Sequence, residues 1–67
     1  MNISKSLKIA IANKGATQQE LSKYMGVDHN SVSRYANNTS SPTLKNLELM
    51  CEFFGVKVSE FIQLGEG

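Results

Sequence analysis

The sequence predicts an all-α fold of five short helices. Apolar residues recur every three or four positions along several stretches, which is the period of one face of a helix. Residues that cap helix starts precede three of these stretches, and glycines that end helices follow three of them. The capping residues are Thr17, Asp28 and Thr43, and the glycines are Gly15, Gly26 and Gly55.

The length predicts one domain over residues 1–67. A chain this short buries only about 60% of its unfolded surface, so we expect modest stability. Its first helix is expected over residues 3–13, with Leu7, Ala10 and Ile11 on one face. That apolar face is expected to pack across the back of the two central helices.

The two central helices are predicted from their capping residues. Thr17 and Glu20 have the spacing of a capping box, so a helix is expected to begin at Gln18 and to end near Met25. Gly26 supplies the backbone freedom that a sharp exit needs. Asp28 is a good N-cap for the next helix, which leaves a turn of about three residues, as in a helix-turn-helix.

The second central helix has two chemically different faces. At ~100° per residue its polar side chains fall on one side and its apolar side chains on the other. The polar face consists of His29, Asn30, Ser33 and Arg34, and the apolar face of Val32, Tyr35 and Ala36. Every group of the polar face can donate to or accept from base edges, and none is an acid that phosphates would repel. This composition predicts a helix that reads bases in the DNA major groove.

The formal net charge is only +1, but the charges are unevenly distributed. Residues 1–45 carry six basic and two acidic residues, a net +4, whereas residues 46–67 carry one basic and four acidic residues, a net −3. The basic part contains the reading helix and can face phosphates, while the acidic part faces solvent or a partner. Ordinary solvated charges are the alternative interpretation.

Thr43 is expected to cap a fourth helix that runs from Leu44 to about Phe54. Its core face is predicted to consist of Leu44, Leu47, Met50, Cys51 and Phe54. Leu49 and Phe53 fall outside this face, which indicates either a contact with another protein or cover from a last helix at about residues 58–63.

The sequence argues against a disulfide, a metal site, a catalytic site and a membrane span. One cysteine allows no internal disulfide, and one histidine with one cysteine cannot form a zinc site, so neither a metal nor a cofactor is expected. Cys51 is interpreted as a small buried hydrophobe. No catalytic residues are expected, because His29 and Asp28 are helix neighbours that do not face each other. Without an apolar span or a signal peptide, we expect a cytoplasmic protein.

The chain resembles, over most of its length, the helix-turn-helix proteins of the Cro and phage-repressor group, also called the XRE family. The matching positions are Thr17, Gln18, Leu21, Gly26, Val27, Ser33, Arg34, Tyr35, Asn37, Pro42, Thr43, Leu44, Leu47, Phe54, Gly55 and Val56. The resemblance implies a five-helix, lambda-repressor-like DNA-binding domain with its helix-turn-helix at about residues 18–36.

Three positions depart from the family pattern. Ser22 replaces a usual alanine, Ala36 a common glutamate and Asn38 a glycine. Asparagine tolerates a left-handed backbone, so we expect Asn38 to keep the geometry of the helix end. The loss of a charged side chain at Ala36 predicts a less rigid end of the reading helix.

The resemblance also implies contacts to DNA phosphates. Gln18 occupies a position that holds a phosphate in the family, at a helix start where Thr17 and free amides favour anions. The loop after the reading helix offers the side chains of Asn38, Thr39 and Ser40. Such a loop is either a simple connector or a backbone-positioning contact.

The family typically dimerises through the region of its fifth helix, which implies a two-fold interface. The residues predicted for this interface are Leu49, Phe53, Val58, Phe61 and Ile62.

These features predict a sequence-specific regulator of transcription that binds double-stranded DNA as a homodimer, on a short palindromic operator, and controls its own gene. A contact with RNA polymerase would make it an activator; occlusion of polymerase would make it a repressor. Phage, mobile-element and restriction-modification contexts all fit.

The alternative is an antitoxin-like module whose acidic C-terminal half neutralises a partner. Antitoxins usually carry a further segment, and only three residues follow Leu64, which favours the regulator.

Overall fold

A computed structural model describes residues 2–66, which form five helices. The helices are α1 (Ile3–Lys14), α2 (Gln18–Met25), α3 (His29–Ala36), α4 (Leu44–Phe54) and α5 (Val58–Leu64). The predicted all-α fold is confirmed, with α1 and α5 each one residue longer than expected. Within residues 2–66, no helix is both long and apolar enough to cross a membrane.

The starts of α2 and α4 are fixed by the capping side chains that the sequence predicts. The Thr17 hydroxyl accepts from the Glu20 amide at 3.1 Å and the Glu20 carboxylate accepts from the Thr17 amide at 2.9 Å, which completes the predicted capping box. Thr43 caps α4 by accepting from the Asn46 amide at 3.2 Å. Asp28 is the N-cap residue of α3, although its side chain makes no capping hydrogen bond.

One hydrophobic core lies between the five helices. α1 packs against α3 and α5, and α2 packs against α3 and α4. The buried apolar residues are Leu7, Ala10, Leu21, Met25, Val32, Tyr35, Ala36, Leu47, Met50, Cys51 and Phe61. The two helices of the helix-turn-helix are therefore held from behind by α1 on one side and α4 on the other.

Cys51 has the predicted role of a small buried hydrophobe. Only 3% of its surface is exposed. Burial, followed by repulsion from the Glu48 carboxylate, raises the pKa of the Cys51 thiol. The thiol therefore stays protonated near neutral pH, the form that is a poor nucleophile.

The predicted core face of α4 is wrong at its first residue. Leu44 is 69% exposed, because it lies in the first turn of α4 beyond the edge of the core. Together with Lys45, Glu48, Leu49 and Glu52 it lines a shallow groove on the outer face of the helix.

A contact of Leu49 and Phe53 with another protein stays a prediction. Both residues are half-buried and pack against the core. The neighbours of Phe53 include Tyr24 of α2, whose ring lies 5.3 Å from it, and Lys14 of α1, whose ammonium lies 5.0 Å over its face. The Tyr24 hydroxyl also donates to the Glu52 carboxylate at 2.6 Å, and this hydrogen bond is the main reason that the pKa of Tyr24 is raised. An aromatic contact therefore joins α2 to α4 at the surface.

The two ends of the described chain meet where α5 packs on α1. The Ser6 hydroxyl donates to the Ile62 carbonyl at 3.3 Å, and the Ser6 side chain is fully buried. Gly65 follows α5 with an ordinary φ of −80°, so space rather than backbone conformation requires glycine there. A Cβ at residue 65 would lie 2.5 Å from the Asn2 carbonyl oxygen and would also collide with the Ser6 hydroxyl.

The substitution Gly65→Ala is expected to lower the free energy of unfolding by about 1–3 kcal/mol, because α5 must move away from α1 to admit the methyl group. Urea denaturation followed by circular dichroism measures the loss. Ser59→Ala, at an exposed position of α5, is the matched control and should change stability little. Equal stability of Gly65→Ala and the wild type would contradict the close packing of α1 and α5.

Candidate nucleic-acid interface

The turn between α2 and α3 is short because Gly26 takes a left-handed conformation, with φ 72°. The Val27 amide donates to the Ser22 carbonyl at 3.1 Å, which closes the end of α2. Val27 is half-buried and packs against the core. α3 therefore begins at a position fixed by α2, as a reading helix requires.

α3 presents the two faces that the sequence predicts. Val32, Tyr35 and Ala36 are buried on one side. His29, Asn30 and Arg34 are exposed on the other, and Ser33 is half-buried at its edge. Tyr35 is fixed further by its hydroxyl oxygen, which accepts from the Asn46 side-chain amide of α4 at 3.2 Å. The polar groups thus stand on a helix whose back is held by the core.

Two of the predicted base-reading side chains are partly ordered by hydrogen bonds within α3 and its C-cap residue. The Arg34 Nε donates to the Asn30 carbonyl at 3.3 Å, along the helix axis. A guanidinium has five N–H donors, so its terminal nitrogens remain for a base. The Ser33 hydroxyl accepts from the Asn37 side-chain amide at 3.5 Å. This geometry is compatible with base reading, which stays a prediction for His29, Asn30, Ser33 and Arg34.

The loop after α3 reverses direction at Asn38, whose φ of 61° confirms the expected left-handed backbone. Thr39 then closes the helix end: both its amide, at 3.0 Å, and its hydroxyl, at 3.2 Å, donate to the Arg34 carbonyl. Asn38, Thr39 and Ser40 are exposed, as contact with phosphates requires. Because the Thr39 hydroxyl proton is already donated, a phosphate contact there needs this hydroxyl to turn away from Arg34.

The start of α2 carries two residues that the sequence predicts to contact a phosphate, Thr17 and Gln18. Thr17 is exposed, and Gln18 is half-buried at the first helical position. The capping box uses the acceptor capacity of the Thr17 hydroxyl and leaves its proton available for donation. The phosphate contacts of Thr17 and Gln18 remain predictions.

The predicted dimer residues do not all lie on the surface. Leu49, Phe53, Val58 and Ile62 are half-buried and keep some exposed area. Phe61 is wrongly placed in this set, because it is 0% exposed and its ring stacks on that of Phe54 at 6.0 Å. A side chain without exposed surface adds no contact area to an interface, so Phe61 belongs to the core.

Two buried polar residues of structural importance, Ser4 and Ser6, are not predicted from the sequence. Ser4 and Ser6 are buried on α1, and their hydroxyls donate to the carbonyls of Ala36 and Ile62. The signal was available in the helical period, since Ser4 lies three positions before Leu7 and Ser6 four positions before Ala10. Both serines therefore share the buried side of α1.

Comparison with known proteins agrees with this geometry. A sequence-family model described as helix-turn-helix matches residues 7–61. The chain is also 32% identical over 60 residues to the antitoxin PezA of Streptococcus pneumoniae serotype 4 (strain ATCC BAA-334 / TIGR4), and the match covers 90% of this chain and 38% of that protein. The chain therefore spans well under half the length of that relative. With the family match extending from α1 into α5, the chain belongs to the helix-turn-helix family of the Cro and phage-repressor (XRE) type.

Proposed function

We propose that the protein is a sequence-specific transcriptional regulator that binds a short palindromic operator as a homodimer. The observation that carries this proposal is the exposed polar face of α3, which has hydrogen-bonding side chains and no acid and is held from behind by buried Val32, Tyr35 and Ala36. Arg34 suits guanine, since its terminal N–H groups match two acceptors on that base edge, and Asn30 suits adenine. His29 and Ser33 complete the reading set.

A dimer is proposed because one short reading helix contacts too few base pairs to select a site. Two-fold pairing would place two reading helices about one turn of DNA, ~34 Å, apart. The proposed interface consists of the half-buried residues Leu49, Phe53, Val58 and Ile62 on α4 and α5. These helices carry the acidic part of the chain, so the basic part is left for DNA.

Regulation would follow from occupancy of the operator. A dimer bound at a promoter either blocks RNA polymerase or contacts it and recruits it. Binding to the promoter of its own gene would make the protein concentration self-limiting. The cytoplasm, where it would meet both DNA and polymerase, is its proposed place of action.

The test is a salt series of affinity for the DNA directly upstream of the protein's gene and for a scrambled duplex of equal length. We expect binding to the upstream DNA to be at least about a thousandfold tighter, as for specific operators. Log affinity should fall steeply with log salt, by roughly 0.9 per phosphate neutralised. Sedimentation of the same protein should give a dimer at the concentrations at which it binds. Equal, weak binding to both duplexes would contradict the proposal.

The second candidate is an antitoxin-like module that neutralises a protein partner. It is favoured by the 32% identical relative, which is an antitoxin, and by the concentration of acidic residues in α4 and α5. Co-expression with the product of the neighbouring gene distinguishes the two candidates. A toxic product that loses its toxicity and co-purifies with this chain would support the antitoxin, whereas an inert product together with specific operator binding would support the regulator.

A further inference from the structure

The C-terminal end of the reading helix is held by α1. The last four carbonyl groups of any helix have no partner within the helix and must find one elsewhere. In α3 all four have a donor among residues 2–66. The donors are Asn37 N to Ser33 O (2.9 Å), Thr39 N to Arg34 O (3.0 Å), Asn38 N to Tyr35 O (3.3 Å) and Ser4 Oγ to Ala36 O.

Three of these hydrogen bonds are local and one is not. The loop directly after α3 supplies the donors for Ser33, Arg34 and Tyr35. The donor for Ala36 is a buried hydroxyl 32 positions earlier in the chain. Within the described part of the chain, Ser4 is the one hydrogen-bond partner of this carbonyl. The last carbonyl of the reading helix is therefore bonded to α1, so a shift of α1 would move this end of the helix.

We infer that Ser4 is a positioning residue for DNA recognition. Its hydrogen bond to the Ala36 carbonyl fixes the position of the C-terminal turn of α3. This turn contains Arg34, and the reversal at Asn38 follows it at once. Ala36 stands where the family commonly has a glutamate. Although that charged side chain is missing, each of the last four carbonyls of α3 has a hydrogen-bond donor. The inference rests on the proposed base-reading role of α3.

Ser6 provides a matched control on the same helix. It is also buried, and its hydroxyl also donates to a carbonyl, but that carbonyl is Ile62 of α5. The Ile62 carbonyl has a second donor, the Gly65 amide at 3.1 Å, so it keeps a partner when the Ser6 hydroxyl is removed. The two serines thus differ in the helix that they hold and in whether a carbonyl is left without a partner.

The experiment compares Ser4→Ala with Ser6→Ala at a temperature at which urea denaturation shows both to be folded. The probe is a DNA duplex that the wild-type protein selects from a pool of random sequences. It has about 20 base pairs, enough for two half-sites one helical turn apart. Ser4→Ala should weaken binding to this duplex about tenfold, because an unpaired buried carbonyl drives the helix end to move. Binding to an unselected duplex, which depends on phosphate charge, should stay within about twofold. Ser6→Ala should leave both affinities close to wild type.

Hydrogen exchange gives a readout that does not depend on DNA. In Ser4→Ala the amides of Asn37, Asn38 and Thr39 should exchange faster, whereas in Ser6→Ala they should exchange as in the wild type. If Ser4→Ala does not fold, Ser4→Cys takes its place, since a thiol has nearly the same shape and is a much weaker donor.

Two results would overturn the inference: wild-type affinity and exchange in folded Ser4→Ala, or equal losses in both variants. Failure of the proposed function looks different. In that case the wild-type protein itself selects no duplex, and the exchange rates alone decide whether Ser4 holds the end of α3.

Discussion

Replacing Arg34 by alanine is expected to weaken binding to the operator by about 1–3 kcal/mol, or roughly 5–150-fold, and to relax the preference at one base pair in each half-site. Arg34 is exposed on the polar face of α3, and its Nε is tied to the Asn30 carbonyl at 3.3 Å. That bond holds the guanidinium along the helix and leaves its terminal N–H groups free to meet the two acceptors of guanine. Fluorescence anisotropy with the operator and with all single-base variants of one half-site measures the effect.

The matched control for this prediction is Lys57→Ala, which removes one exposed positive charge in the turn between α4 and α5. It should leave both affinity and base preference unchanged. A loss in Arg34→Ala that is equal on operator and scrambled DNA would show that Arg34 binds a phosphate instead of a base. Asn30→Ala separates the two residues further, because it removes the carboxamide but keeps the backbone carbonyl that anchors Arg34.

The largest loss of stability is expected from Phe61→Ala. Phe61 is fully buried and stacks on Phe54, so its removal leaves a cavity and should cost about 3–5 kcal/mol. For a domain of this size each kcal/mol lowers the melting temperature by about 4–8 °C, so the transition should fall by about 15 °C or more. Thermal unfolding followed by circular dichroism measures the shift.

Ile62→Ala is the comparison that tests the corrected interface. Ile62 is the next residue of α5, but it is only half-buried and lies outside the set that packs against the core. Its substitution should cost much less stability and should weaken the proposed dimer, as seen by sedimentation. A Phe61→Ala protein with wild-type stability and no dimer would return Phe61 to the interface.

The features that the sequence predicted well are those whose physical cause lies within a few residues. The capping box needs only Thr17 and Glu20, and the left-handed reversal needs only a residue such as Asn38 that tolerates it. The two faces of α3 follow from the helical period alone, because eight residues are enough to separate Val32, Tyr35 and Ala36 from the polar side. Family resemblance added the order of these parts and is confirmed by the match over residues 7–61.

The features that only the tertiary structure decided are those that depend on which helix covers which surface. Leu44 is as apolar as Leu47, yet it lies beyond the core edge, while Phe61 lies on the predicted outer surface but is covered completely. Ser4 and Ser6 are buried because their hydroxyls find carbonyls 32 and 56 positions away. The helical period of a sequence predicts which side of a helix is apolar, but it does not predict how much of that side a neighbouring helix covers. For this protein the sequence by itself determined the helices, the caps of α2 and α4, and the polar face of the reading helix. The packing of α1 and α5 determined which side chains are available to a partner and what holds the reading helix in place, because those contacts join residues far apart in the chain.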